Sequence, residues 1–171
     1  MDEKFEKSWK FYTLIIDWIK FSDTKAAAIL AINGVIFGLI FRNIFEIMQN
    51  FPEKNLYVGL SIIFGIITGI LSIFYCVYCL FPNTGNNKPS IFFFGHISKN
   101  YSNVEDYKKD FQKIISLNPM LNLQISEQIW EVSRIALNKY ERVKWAMIFL
   151  GFTIVFLIIP ILILFGKWIW S

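Results

Sequence analysis

One histidine, two cysteines and no charged residue between Ala26 and Phe41 set limits before any pattern is read. With His96 alone, no two-histidine metal site can come from one chain, and a lone histidine in an aromatic run reads as a packed or hydrogen-bonded residue. Cys76 and Cys79 have redox-motif spacing, but they lie in an apolar helix with no second pair. They read as inert buried thiols. No P-loop, G-x-S-x-G or H-E-x-x-H occurs, so no catalytic constellation, metal or cofactor is expected, and the chain reads as a non-enzyme. The apolar stretches also lack ionisable groups at mid-membrane, which coupled transport requires. The first 20 residues are charged throughout, without the order of regions that marks a cleavable signal, so the first span is expected to direct insertion.

What is present is apolar. Of 171 residues 55% are hydrophobic, with 18 Phe and 6 Trp. That composition fits a small polytopic membrane protein better than a soluble domain. The expected fold is an all-α integral membrane protein with three transmembrane helices and cytoplasmic amphipathic helices, the last span continuous with a long cytoplasmic helix. Residues 1–24 read as a cytoplasmic amphipathic helix and 25–82 as a transmembrane hairpin. Residues 83–143 read as a cytoplasmic helical region and 144–171 as the third span.

The stretch from Phe21 to Gly34 begins charged and becomes a span. Ser22, Asp23 and Thr24 are all plausible N-caps, with Asp23 near the positive end of the helix and Lys25 in its first turn. Upstream, Phe5, Trp9, Tyr12, Ile16 and Ile19 recur at helical spacing. They suit a helix lying on the bilayer or one packed against the rest of the chain. Ala27, Ala28, Ala31, Gly34 and Gly38 in span one, and Gly65 and Gly69 in span two, favour close helix packing. The neutral polar residues Asn33, Ser61, Thr68, Ser72 and Thr153 can line a pore, or can bond to the carbonyls of their own helices.

After the polar loop at 83–90, the run Ile91–Ser98 is too short to cross and reads as interfacial or buried. Ser102 to Glu105 fits a capping box for a helix to about Ile115, with Val104, Tyr107, Phe111, Ile114 and Ile115 on one face. Asn118-Pro119 ends it. The next helix, with Leu121, Ile125, Ile129, Val132, Ala136 and Tyr140 along it, meets no breaker before span three and is expected to bend at Pro160.

Of 17 Lys and Arg, 14 precede span one or lie between spans two and three. The positive-inside rule therefore predicts a cytoplasmic N-terminus and an outward C-terminus. Lys108 and Lys109 on one cytoplasmic helix, with Arg134, Lys139, Arg142 and Lys144 near the membrane, read either as anchors for anionic lipid or as an anion-binding vestibule. In a vestibule Tyr140 could stack a base.

Three motifs resemble the transmembrane domain of the Pycsar effector family. They are Trp18-Ile19-Lys20-Phe21-Ser22-Asp23-Thr24-Lys25-Ala26-Ala27 with Asn33-Gly34, then Phe93-Phe94-Gly95-His96-Ile97-Ser98, then Ile135-Ala136-Leu137-Asn138-Lys139-Tyr140. Family members commonly carry an acidic residue where His96 stands. On that resemblance Asp23, Lys25, Asn33, Gly95 and His96 are the motif residues. The resemblance implies a bacterial anti-phage effector of the inner membrane, controlled by a nucleotide signal from a partner enzyme. The 61 residues between spans two and three cannot hold the cyclic-nucleotide domain that some members carry. The pattern therefore resembles most the standalone Hailong-type effectors, homo-oligomeric channels gated by short single-stranded DNA from a partner nucleotidyltransferase. The expectation is a homo-oligomer, a tetramer, in the lipid bilayer. The competing expectations are a non-conducting anchor for a soluble partner and an effector that senses a cyclic nucleotide.

Overall fold

Helix is the only regular structure among the described residues of the computed structural model, which are 3–43, 56–81 and 94–169. Five helices follow in order: α1 (Glu3–Arg42), α2 (Leu56–Leu80), α3 (Phe94–Asn100), α4 (Val104–Ser116) and α5 (Asn118–Ile169). Three of them, α1, α2 and α5, are long and apolar enough to cross a membrane. The 25 residues of α2 extend about 38 Å, enough for the ~30 Å hydrocarbon core. The polar loop at 83–90, residues 91–93 and the end of the chain after 169 lie outside the described residues.

Two expectations are corrected. No helix starts at Ser22, Asp23 or Thr24, because α1 runs unbroken for 40 residues. Neither Gly nor Pro stands between Glu3 and Asn33, and the Asp23 carboxylate is engaged by a side chain instead of by free backbone N–H groups. The cap of α4 is Asn103, one residue after Ser102. Its Oδ1 accepts from the Asp106 N–H at 2.9 Å, and its Nδ2 donates to the Asp106 carboxylate at 2.8 Å. The asparagine amide thus uses its oxygen and its nitrogen on the same residue, Asp106. Glu105, the other half of the expected box, pairs with Lys108 at 3.2 Å.

Leu117 separates α4 from α5, and Pro119 sits in the first turn of α5, where its missing N–H costs nothing. Thereafter α5 continues for 52 residues with Pro160 inside it.

Internal packing divides the chain into two units. The first comprises Met1–Phe21 and Pro82–Asn138. In it Leu121, Ile125 and Val132 are buried along α5, with Gln128 buried among them. Trp9 and Tyr12 of α1 meet Ile125 and Gln128 around a small cavity. On α4, Tyr107, Phe111 and Ile114 are half-buried while Val104 and Ile115 are exposed. The second unit comprises Ser22–Phe81 and Lys139–Ser171, and it holds the three spans.

Candidate functional site

The second unit is built on small side chains. Along α2 the buried set is Val58, Gly59, Ser61, Gly65, Gly69, Ser72, Cys76 and Cys79. The large residues Ile63, Phe64, Ile67, Ile70 and Phe74 point outward. Ser22, Ala26, Ile29 and Asn33 face inward from α1, and Lys139, Val143, Ala146, Leu150 and Thr153 from α5. The α1 and α5 seams advance by alternating three- and four-residue steps, the repeat of closely packed left-handed helix bundles, and α2 does so from Gly69 to Cys79 after two four-residue steps from Ser61.

Polar groups occur at four levels of this seam. At the first, the Lys139 ammonium pairs with Asp23 Oδ1 at 2.5 Å, although Lys139 is only 7% exposed. Cys79 Sγ lies 4.0 Å from the same carboxylate oxygen and 3.7 Å from the Lys139 carbonyl. Arg142 lies beside this group. Its Nη1 donates to the Tyr78 carbonyl at 2.9 Å, and its guanidinium sits 3.7 Å from the centre of the Tyr78 ring. The last carbonyls of a helix lack internal partners, so a side chain from α5 caps the C-terminus of α2.

At the second level Asn33, fully buried, donates from Nδ2 to the Ile29 carbonyl at 3.0 Å and to Ser72 Oγ at 2.9 Å. Ser72 in turn donates to the Ala146 carbonyl at 2.9 Å, so one chain of bonds joins all three spans. Asn33 Oδ1 is buried without a hydrogen-bond partner among the described residues. At the third level the Thr68 and Thr153 hydroxyls lie 3.1 Å apart.

At the fourth level Ser61 Oγ meets the Phe156 carbonyl at 2.5 Å. Phe156 is four residues before Pro160, so its carbonyl would bond to a helical N–H that proline lacks. In hydrocarbon such a group has no water to turn to. Ser61 therefore supplies from α2 the donor that Pro160 removes from α5. Ser61→Ala is expected to cost about 1–2 kcal/mol, and little in a Pro160→Ala background, where the helix repairs its own bond. Thermal unfolding of the four variants in detergent measures this coupling.

The residues expected from sequence thus separate. Asp23, Asn33, Ser61, Thr68, Lys139, Arg142 and Thr153 come together inside the spans. Lys108, Lys109, Arg134, Tyr140, Lys144, Gly95 and His96 do not join them. Lys108 pairs along α4, Arg134 lies 5.0 Å from the Trp130 ring centre, and Lys109, Tyr140 and Lys144 are exposed. Gly95 and His96 are half-buried on α3, and Lys25 is half-buried on α1. Among the described residues no cluster of three or more His, Cys, Asp or Glu side chains could hold a metal ion. The partnership of Asp23 with Lys139 and the cap by Arg142 went unread in the sequence. The signal for them is that Lys139 falls on the inward step of α5, while Asp23 and Arg142 stand next to the inward positions Ser22 and Val143.

A family model described as the Pycsar effector protein domain matches residues 7–166, which includes every level of this seam. The chain belongs to the Pycsar effector domain family. No curated protein and no solved structure matches it. Membership in the Pycsar family, with three helices apolar enough to span, makes the chain a membrane protein of the anti-phage effector class. The polar seam is the internal frame of that Pycsar domain: charged at one end, amide and hydroxyl in the middle, and closed by the Ser61–Phe156 bond.

Proposed function

We infer that several copies of this chain assemble in the bacterial inner membrane into an ion-conducting pore. In this reading an oligonucleotide signal, short single-stranded DNA of the Hailong type from a partner nucleotidyltransferase, sets the gate, and the chain itself does no catalysis. The observation that carries the reading is where the polar and small groups lie. The Asn33 amide nitrogen and the Ser61, Thr68 and Thr153 hydroxyls bond within one chain's own bundle, so these groups are turned to one another and not to a lumen between chains. Ala27, Ala31, Gly34 and Gly38 instead form an outward face on α1, and a side chain built at either glycine meets nothing within 4 Å. A face of small residues without a partner among the described residues is suited to a neighbouring helix or to a narrow lumen between copies.

The distribution of basic residues supports a cytoplasmic N-terminus and an outward C-terminus. Lys139 and Arg142 are occupied within the seam, which leaves Lys108, Lys109 and Lys144, with Arg134 and Tyr140, as the groups available to a polyanion. A ligand gates only by binding one state of the pore better than the other.

Liposomes carrying the purified protein test this by ion flux with short single-stranded DNA, with a cyclic mononucleotide and with neither. The expected result is flux that DNA changes, with an effect that weakens as salt rises. Flux altered only by the cyclic mononucleotide would replace the ligand. Absence of flux in every condition would leave a non-conducting anchor.

A further inference from the structure

The first unit carries a hollow that the polar seam does not use. Ser126, Glu127, Gln128, Trp130 and Glu131 line about 370 Å³ along α5. That volume suits a small organic molecule and far exceeds what a bare ion needs. Glu127, Glu131 and Arg134 stand close together on this part of the helix, which places it in water and not in hydrocarbon.

One side chain in the hollow is out of keeping with its burial. Gln128 is 7% exposed, yet it makes no hydrogen bond to a described residue. It lines both this hollow and the small cavity beside Trp9 and Tyr12. A buried amide ordinarily has a partner, so this one is set for a polar group that enters the hollow.

The charge around it has one sign. Glu127 and Glu131 are both half-buried and stand one helical turn apart. Glu127 already has a partner, whereas Glu131 makes no ion pair with a described residue. Arg134, the next cation along the helix, lies over the Trp130 ring and outside the lining. A phosphate would meet two carboxylates here, so the hollow is closed to a polyanion. A metal ion would find two carboxylates from one helix and no third such ligand among the described residues.

We propose that the hollow binds an organic cation, an ammonium carried on a short aliphatic stem. The ammonium pairs with Glu131 and donates to the Gln128 amide oxygen, and the stem lies against the Trp130 indole. An ammonium has three donors, which fits a carboxylate and an amide three residues apart on one helix face. The buried amide gains its partner, and the half-buried carboxylate its counter-charge. A free amine and a lysine of a neighbouring chain share this chemistry. The site does not depend on the pore proposed above.

Full-length protein in neutral detergent micelles, titrated calorimetrically with n-butylammonium chloride, provides the test. Saturable binding at one site per chain is expected, with n-butanol, which has the same stem and no charge, at least about tenfold weaker. Glu131→Gln is expected to weaken the amine at least about tenfold and Gln128→Leu about threefold. Glu141→Gln, at an exposed carboxylate further along α5, is expected to leave binding unchanged. Thermal midpoints without the amine check that each variant folds, and Glu131→Gln, which removes only a charge, is expected to keep that of the wild type. Copy number by native mass spectrometry separates the two sources: chains released by the amine identify a neighbour's lysine as the occupant, and an unchanged copy number a free amine. Absence of saturable binding, n-butanol bound as tightly, or a loss in Glu141→Gln as large as in Glu131→Gln would overturn the site.

Discussion

Replacing Lys139 by methionine is expected to destabilise the protein by about 3 kcal/mol, with loss of a monodisperse peak in detergent. The carboxylate of Asp23 would be left in a seam where only about a third of it reaches solvent and its other close neighbour is the Cys79 thiol. The mechanism is the unpaired charge, not the lost attraction. The double variant Asp23→Leu with Lys139→Met is therefore expected to recover most of the loss, since an apolar pair of similar volume can replace a buried ion pair without penalty. A double-mutant cycle on thermal midpoints checks this. If the double variant is as unstable as the single one, the pair contributes geometry that leucine and methionine cannot supply. Asp23→Asn is expected to cost about as much as Lys139→Met, because it leaves the more buried charge, that of Lys139, without a counter-charge, while the amide oxygen still accepts one hydrogen bond from the ammonium.

Gly69→Leu is expected to break the bundle outright. A Cβ alone at position 69 would come within 2.7 Å of the Phe37 ring and 3.4 Å of Thr153 Cγ2. An alanine can be met by a swing of the Phe37 ring, but a leucine has to displace α1 or α5. Overpacking of this kind costs about 1–3 kcal/mol in ordinary cores and more where the neighbour cannot move. Gly34→Leu and Gly38→Leu form the matched control. With nothing within 4 Å of either position, they leave the single chain unstrained. Unfolding in detergent separates the two classes, and a shift in copy number confined to Gly34→Leu or Gly38→Leu would locate a neighbouring copy on that face.

The three spans and the unbroken last helix were legible because long uncharged runs and the absence of a breaker between Pro119 and Trp145 admit few alternatives. The start of span one was misread for a physical reason. Ser22-Asp23-Thr24 has the chemistry of a cap, and only a partner 116 residues away makes it mid-helix. Helical periodicity shows which way Lys139 points but not which carboxylate it meets. Ser102 and Glu105 have the spacing of a capping box, but Asn103 and Asp106 stand at the same spacing one residue on, and it is this pair that bonds. The small residues of α2 were recognised as packing sites, yet the link between Pro160 and Ser61 needs the two helices side by side before it means anything.

Span two is written in volume more than in polarity. Its inward positions hold mainly glycine, serine and cysteine, and its outward positions hold isoleucine, leucine and phenylalanine. A hydropathy scale assigns the information to the greasy side, where one large apolar residue could replace another and lipid would scarcely distinguish them. What makes the sequence fold one way is the absence of bulk on the opposite side, a row of vacancies into which its neighbours fit. Drift along this helix should accordingly be free on the face that looks most characteristic and confined on the face that looks most ordinary.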